Sequence, residues 1–169
     1  MAQVRIAGVV PESVVDGPGF RYTIFTQGCR HNCKGCHNPQ THDFEGGYMA
    51  DTDDLFAEMM GDPLIRGITL SGGDPFEQPA PLAELAAKAH SSGKDIITYT
   101  GYTYEQLLDK SAENPAVMDL LRETDVLIDG PFILEQRNLE LKFRGSENQR
   151  VIDVKKSLAS GSVVTFEFE

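Results

Sequence analysis

Residues 67 to 100 read GITLSGGDPFEQPAPLAELAAKAHSSGKDIITYT, and this stretch decides the fold. The β-branched runs at residues 67–70 and 95–100 predict two strands. Residues 79–90 predict a helix between them, because apolar side chains recur there at i, i+3, i+4 and i+7. These side chains are Leu82, Leu85, Ala86 and Ala89. A strand, a helix and a second strand form a βαβ unit, whose two strands run parallel.

The same alternation continues on both sides of this unit. Further strands are predicted at residues 5–10, 20–26, 125–128, 150–154 and 163–168. Helices are predicted at residues 52–60, after the capping-box pattern of residues 103–106, and from Asn114-Pro115. Strand and helix therefore alternate from about residue 50 to residue 130, which predicts an α/β fold with a mostly parallel sheet.

Composition limits the number of domains and the classes of partner. The 169 residues, 40% of them apolar, suit one domain spanning residues 1–169. The net charge of -11 gives no general support for a nucleic-acid surface, so we expect no DNA or RNA partner. Neither a leader pattern nor a run of about 20 apolar residues is evident, so we expect a soluble, cytoplasmic protein with no membrane partner.

Polar or glycine-bearing loops follow four of the predicted strands. They carry the cysteine run after residues 20–26, Ser71-Gly-Gly-Asp-Pro75, Gly101-Tyr102 and Asp129-Gly-Pro131. In parallel α/β folds the carboxyl ends of the strands lie at one edge, where ligands bind. We expect these four loops to form one shared site.

All three cysteines of the chain, Cys29, Cys33 and Cys36, fall within the first of these loops. Closed metal centres normally take four protein ligands, so three cysteines indicate a cluster or ion with one coordination position left for another ligand. Spacing alone leaves open a zinc site completed by His31, His37 or His42. A disulfide framework is disfavoured by the odd number of cysteines, and a fully protein-ligated cluster lacks a fourth cysteine.

The C-x3-C-x2-C spacing resembles the signature of radical S-adenosylmethionine (SAM) enzymes. Further motifs are similar, in order, to those of anaerobic ribonucleoside-triphosphate reductase activating proteins, a family of glycyl radical enzyme activases, over roughly residues 10 to 155. These motifs are Asp16-Gly-Pro-Gly19 with Arg21, Phe25-Thr-Gln-Gly-Cys29, Cys36-His-Asn38, Ser71-Gly-Gly-Asp-Pro75, Thr100-Gly-Tyr102, Val126-Leu-Ile-Asp-Gly130 and Arg144-Gly-Ser-Glu-Asn-Gln149. The resemblance implies an incomplete (β/α) barrel, with helices outside and the cluster at the open end of the strands.

This resemblance also implies the cofactors and the reaction. Cys29, Cys33 and Cys36 would hold one 4Fe-4S cluster, and SAM would bind its fourth iron. A flavodoxin- or ferredoxin-like donor would supply an electron that cleaves SAM to a 5'-deoxyadenosyl radical. That radical would take a hydrogen from a glycine of the large subunit of the anaerobic ribonucleotide reductase. The cluster and SAM would carry this chemistry, so no catalytic side chain is predicted.

Three groups of residues are implied as the SAM site. Gly72, Gly73 and Asp74 correspond to the Gly-Gly-Glu motif that binds the methionine moiety, with Asp in place of Glu. Glycines allow close approach to an ammonium group, to which an acid adds a favourable charge. The alternative is an ordinary strand-to-helix turn in which Asp74 or a neighbour caps the helix that begins near Pro79.

The other two groups have structural alternatives as well. Many relatives have an aromatic residue near adenine where this chain has Gly35. Contact with adenine would therefore be made by the backbone of Gly35, Cys36 and His37. The alternative for His37 is that it only caps the loop that carries the cysteines. Thr100 and Asp129 would meet the methionine or ribose, or only stabilise turns.

Several interpretations remain open from sequence. His31 and His42 are expected to be solvated loop residues. Arg144, Asn148, Gln149 and Arg150 either close the open side of the barrel, contact a partner or form a solvated loop. The rival functions are activation of another glycyl radical enzyme, of the formate-lyase or dehydratase type, and a non-enzymatic zinc-binding interaction module.

Overall fold

A seven-stranded sheet forms the centre of the fold in the computed structural model, which describes residues 2–168. Residues 1 and 169 of the predicted domain lie outside this described part. The strands are β1 (Gln3–Ser13), β2 (Phe20–Thr26), β3 (Tyr48–Asp51), β4 (Ile65–Gly72), β5 (Asp95–Tyr99), β6 (Val126–Asp129) and β7 (Arg150–Asp153). Their order across the sheet is β3-β1-β2-β4-β5-β6-β7.

Most of the strands run in one direction. The pairs β2–β4, β4–β5 and β5–β6 are parallel, whereas β1 is antiparallel to both β2 and β3, and β7 is antiparallel to β6. Strands β2 to β6 therefore share a direction that only β1 and β7 oppose. The predicted α/β class with a mostly parallel sheet is confirmed.

Five helices accompany the sheet: α1 (Thr52–Met60), α2 (Pro79–Ser91), α3 (Tyr104–Glu113), α4 (Pro115–Glu123) and α5 (Val154–Ser160). The capping box predicted before α3 is present, with Thr103 accepting from the Gln106 amide and Gln106 accepting from the Thr103 amide. Asn114 caps α4 at the Ala116 amide, as its position before Pro115 predicts. No helix among residues 2–168 combines the length and apolar character needed to cross a membrane.

The two faces of the sheet are covered differently. One face packs against the helices in a large core that includes Ile24, Leu70, Leu82, Leu120 and Leu127, each at most 1% exposed. On the opposite face, Ile97, Val126 and Ile128 form a smaller cluster, covered by loop side chains that include Phe143 and Phe168. The helices thus leave this second face to loops, and a cavity opens there.

The sequence predictions missed two elements, β3 and α5, and gave one wrongly. Residues 163–168 are not a strand: they run beside β7 and meet it through a single bridge between Ile152 and Thr165. The strand predicted at 150–154 ends at Asp153, whose carboxylate accepts from the Lys156 amide and so begins α5.

Candidate functional site

Loops after β2, β4, β5 and β6 meet at the carboxyl end of the parallel strands, as expected, and we call this edge the rim. They surround a cavity of about 550 Å³ that continues along the loop-covered face of the sheet. All three cysteines line it. Its wall also includes His31, His37, His42, Ser71, Gly72, Gly73, Thr100, Gly101, Gly130, Phe132, Arg144 and Gln149.

The cysteine loop, residues 28–42, closes on itself through its backbone. The Gly28 amide donates to the Thr41 carbonyl at 2.7 Å, and the Cys29 amide donates to the His42 carbonyl at 3.2 Å. Gly28 has φ +110°, and a Cβ there would lie 2.7 Å from the Phe44 ring, so glycine is required at this position. These two hydrogen bonds hold both ends of the loop at the end of β2.

The cysteines suit a bound cationic centre. All three are free thiols of intermediate exposure. Burial raises the pKa of Cys29 to about 11 and also raises the pKa of Cys33. A thiolate here therefore needs a positive partner, which iron supplies.

The spacing of the donor groups bears on the kind of centre. Within residues 2–168, no three His, Cys, Asp or Glu side chains converge closely enough to hold a single ion. Ligands of a four-iron cluster bind separate irons and so need not converge on one point. The three free cysteines that line the cavity match the number of protein ligands expected for such a cluster with one iron left for another ligand.

Gly72 and Gly73 join the loop after β4 to the cysteine loop. The Gly73 amide donates to the Thr26 carbonyl at 2.8 Å, and the Asp74 amide donates to the Gly28 carbonyl at 2.9 Å. A Cβ on Gly73 would lie 2.4 Å from the Gly28 oxygen, and one on Gly72, where φ is +97°, would lie 2.4 Å from the Thr26 nitrogen. Both glycines are therefore needed for backbone packing, and both also face the cavity.

The Asp74 carboxylate is fully buried and does not line the cavity. Its Oδ1 accepts from the Phe76 amide at 3.0 Å at the start of the short 3-10 helix Pro75–Glu77. Both of its oxygens accept from the Thr100 hydroxyl, and Oδ2 accepts from the Gly101 amide at 3.0 Å. Asp74 therefore caps this 3-10 helix rather than α2, whose N-cap residue Gln78 makes no side-chain cap. The part of Asp74 in a SAM site stays a prediction.

Thr100 and Asp129 also have structural partners. Thr100 lines the cavity while its hydroxyl donates to Asp74. Asp129 is 1% exposed and accepts from the Tyr104 amide and from the Arg150 guanidinium. Arg150 is thus an ion-pair partner rather than part of a solvated loop.

His31 was expected to be a solvated loop residue, and this expectation is wrong. Its Nε2 lies 2.6 Å from Asp74 Oδ2, its side chain is only 15% exposed, and its ring meets Tyr102 edge-on at 4.4 Å. No local signal in the sequence indicates this contact, because 43 residues separate the two partners. His42 is half-buried and lines the same cavity.

Phe132, in the loop after β6, is a cavity residue that sequence reasoning missed. Its ring lies 5.2 Å from that of His37, and a Cβ on Gly35 would meet it at 3.3 Å. Gly35 itself has φ +77° and is exposed. An aromatic ring therefore lies beside Gly35 although position 35 has none.

Residues 144–149 fold over the cavity. Gln149 Oε1 accepts from the amides of Gly145 and Ser146 at 2.9 and 3.1 Å, and its Nε2 donates to the Gly130 carbonyl at 3.1 Å. The Asn148 amide group donates to the Pro131 carbonyl at 2.8 Å, and Arg144 donates to the Gln149 carbonyl. These residues therefore close one side of the cavity and are not a solvated loop, whereas contact with a partner stays a prediction.

Comparison with known proteins gives the chain its family. A family model described as a 4Fe-4S single cluster domain matches residues 15–152. The anaerobic ribonucleoside-triphosphate reductase-activating protein of Vibrio cholerae is 41% identical, covering 82% of this chain and 91% of the relative. The chain belongs to this family of activating proteins. The protein of that name from Escherichia coli K12 is 37% identical, covering 83% of this chain and 93% of the relative. That from enterobacteria phage T4 is 34% identical, covering 85% of this chain and 90% of the relative.

Membership in the family of activating proteins confirms the resemblance drawn from the motifs. The span that matches the cluster-domain model contains all three cysteines and every loop of the rim. The residues brought together around the cavity are thus those within the part of the chain described as a 4Fe-4S domain.

Proposed function

We propose that this chain activates an anaerobic (class III) ribonucleotide reductase by generating a glycyl radical on its large subunit. The observation that carries the proposal is the placement of three half-buried cysteines on one 550 Å³ cavity, in a chain whose relatives bear the name of reductase-activating proteins. Cys29, Cys33 and Cys36 would hold a 4Fe-4S cluster, which leaves one iron for a further ligand.

The chemistry belongs to the bound groups. When bound, cluster and SAM together supply the one-electron cleavage that yields methionine and a 5'-deoxyadenosyl radical able to take hydrogen from a glycine. A flavodoxin- or ferredoxin-like protein would deliver the electron, in the cytoplasm. Neither a membrane nor a nucleic acid has a part in this proposal.

The chain's own residues bind and orient the substrate. Gly72 and Gly73 offer backbone groups on the cavity wall beside the cysteine loop, where the methionine part of SAM would lie. Cys36, His37 and Phe132 also line the cavity, with Gly35 beside the Phe132 ring, and this group would contact adenine. Asp74 and Asp129 act indirectly, because their carboxylates hold the loops that form this wall.

The shape of the sheet fits an incomplete barrel. Helices cover one face, while the cavity lies on the other between Val10 and Val15 on one side and Phe143 and Arg144 on the opposite side. We propose that this face is the inside of a radical SAM barrel, with the rim at its open end. The glycine loop of the partner would enter between these two sides.

Anaerobic reconstitution tests the proposal. The protein is loaded with iron and sulfide, reduced, and supplied with SAM, and 5'-deoxyadenosine is measured by chromatography. The reductase large subunit is then added, and a glycyl radical is sought by electron paramagnetic resonance (EPR). If SAM is cleaved but no glycyl radical forms on the reductase, the test is repeated with a formate-lyase or a dehydratase as the partner. A glycyl radical on one of these enzymes would favour the rival activase. One zinc per chain and no iron would favour the binding module.

A further inference from the structure

The buried carboxylate of Asp74 joins three of the four loops of the rim. It belongs to the loop after β4, accepts from Thr100 and Gly101 in the loop after β5, and contacts His31 in the cysteine loop. Of these contacts, only the one to His31 reaches the segment between Cys29 and Cys33. One side-chain hydrogen bond therefore ties the metal-ligand segment to a fully buried group.

The surroundings of His31 are built to hold its ring in one place. Tyr102 packs edge-on against the ring, and the Tyr102 hydroxyl is itself held by Glu77, which pairs with Arg30 at 2.6 Å. A Cβ on Gly101 would lie 2.5 Å from the His31 ring, so this glycine leaves the space that the ring fills. A solvated histidine would need neither feature.

We propose that His31 is a positioning residue that, through its hydrogen bond to Asp74, fixes the places of Cys29 and Cys33 in the rim before the cluster binds. The proposal rests on the proposed function only in taking these cysteines as cluster ligands. Backbone bonds already secure the two ends of the cysteine loop. Between residues 29 and 33, two side-chain contacts reach the loop after β4: Arg30 pairs with Glu77 from an exposed position, and His31 contacts the fully buried Asp74. The cysteines would then meet the cluster with little conformational entropy left to lose.

Thiol modification of the apoprotein tests this without any cofactor. The chain has three cysteines, all in this loop, so an alkylating reagent reports on the loop alone. His31→Asn removes the group at the Nε2 position, and we expect about tenfold faster alkylation, because the hydrogen bond to Asp74 no longer keeps the loop closed. His31→Gln places an amide nitrogen near the position of Nε2 and should restore slow alkylation.

Two further variants separate positioning from a general effect. His42→Asn removes another histidine of the same cavity, whose hydrogen bonds within residues 2–168 come from its backbone, and it should alkylate at the wild-type rate. Gly101→Ala leaves His31 and Asp74 intact but displaces the ring, and it should behave like His31→Asn. Its backbone is outside the left-handed region, so alanine adds no backbone strain, and the three atoms nearest the new Cβ all belong to the His31 ring. Circular dichroism shows whether each variant is folded. If His31→Asn is unfolded, Gly101→Ala still tests the positioning role of His31.

A second readout follows the cluster itself. In reconstituted protein, the EPR spectrum of the reduced cluster should change in His31→Asn and Gly101→Ala and return towards that of the wild type in His31→Gln. Wild-type alkylation rates and spectra in both His31→Asn and Gly101→Ala would overturn the proposal, as would an equal effect of His42→Asn. A wild-type protein that binds no 4Fe-4S cluster would instead refute the proposed function, while the alkylation rates would still test the positioning role.

Discussion

Arg150 binds the buried carboxylate of Asp129 across the β6–β7 pair, with its Nε 3.1 Å from Oδ1. Its Nη2 also reaches the exposed Glu105 at 2.6 Å. Hydrogen bonds to Asp129 and Glu105 raise the pKa of Arg150 above its ordinary value. The Asp129 side chain is 1% exposed whereas that of Glu105 is 60% exposed, so the first pair should contribute far more to stability.

Replacing Arg150 by alanine should therefore lower the free energy of unfolding by about 3 kcal/mol, because it leaves a buried carboxylate without its cation. Glu105→Gln removes only the exposed partner and should cost less than about 0.5 kcal/mol. Urea unfolding monitored by circular dichroism measures both. Equal losses in the two variants would show that burial of Asp129 does not decide the strength of the pair.

Gly73→Ala should disrupt the junction between the loop after β4 and the cysteine loop. The new Cβ would lie 2.4 Å from the Gly28 oxygen, so the backbone has to move. We expect a loss of about 2 kcal/mol or more in stability and a lower iron content after reconstitution. Gly8→Ala is the matched control, because nothing lies within 4 Å of its Cβ, and it should load iron like the wild type. Normal iron content in Gly73→Ala would contradict this role of the junction.

Phe168→Ala should loosen the loops that cover the cavity. Phe168 packs edge-on against Phe143 at 4.9 Å and covers the smaller apolar cluster of Ile97, Val126 and Ile128. Its truncation should cost about 2 kcal/mol. Phe166→Ala removes a ring that is 38% exposed and should cost less than half as much. Thermal unfolding compares the stability of the two variants. A larger loss in Phe166→Ala than in Phe168→Ala would contradict the role of Phe168 in covering the apolar cluster.

His90 should make stability depend on pH above about 6.5, the ordinary histidine value. Burial lowers the pKa of His90, but hydrogen bonds to Asp125 and Glu123 outweigh it, so the pKa is raised despite the nearby Lys155. The charged form is thus favoured in the folded state. Its contribution is complete below the pKa of the unfolded chain and is lost as the pH rises through the folded pKa.

The comparison of wild type with His90→Gln isolates this contribution. The wild type should exceed the variant in free energy of unfolding by on the order of 1 kcal/mol at pH 5.5 to 6, and the difference should shrink towards pH 9. Urea unfolding over this pH range measures it. A difference that stays constant or grows with pH would show that His90 is not charged in the folded protein.

Local signals account for the elements that the sequence predicted well. The bounds of β2 and α1 agree with those predicted, and α2 extends the predicted helix by one residue. Apolar periodicity and caps such as Thr103 act within a few residues of chain, so they can be read from it directly. By contrast, β3 has four residues whose pairing depends on distant β1, and residues 163–168 have strand-like composition but little pairing.

The candidate site, like the fold, has features that local sequence signals predict and features that depend on residues distant in the chain. Cysteine spacing and the strand-end loops were sufficient to predict which segments meet at the rim. The orientation of individual side chains was not predictable: Asp74, Asp129 and His31 all point to partners distant in sequence. Phe132 was missed because nothing near it in the chain indicates that its ring lies beside Gly35.

The hydrogen bonds of Asp74 also restrict which substitutions this chain can accept. Its two oxygens serve the Phe76 and Gly101 amides, the Thr100 hydroxyl and His31 at once. A glutamate at this position would carry the carboxylate one methylene farther and could not keep all four donors. Positions 31, 74, 100 and 101 are therefore linked through one carboxylate, and we expect the longer acid, introduced alone, to weaken the contacts between three loops of the rim.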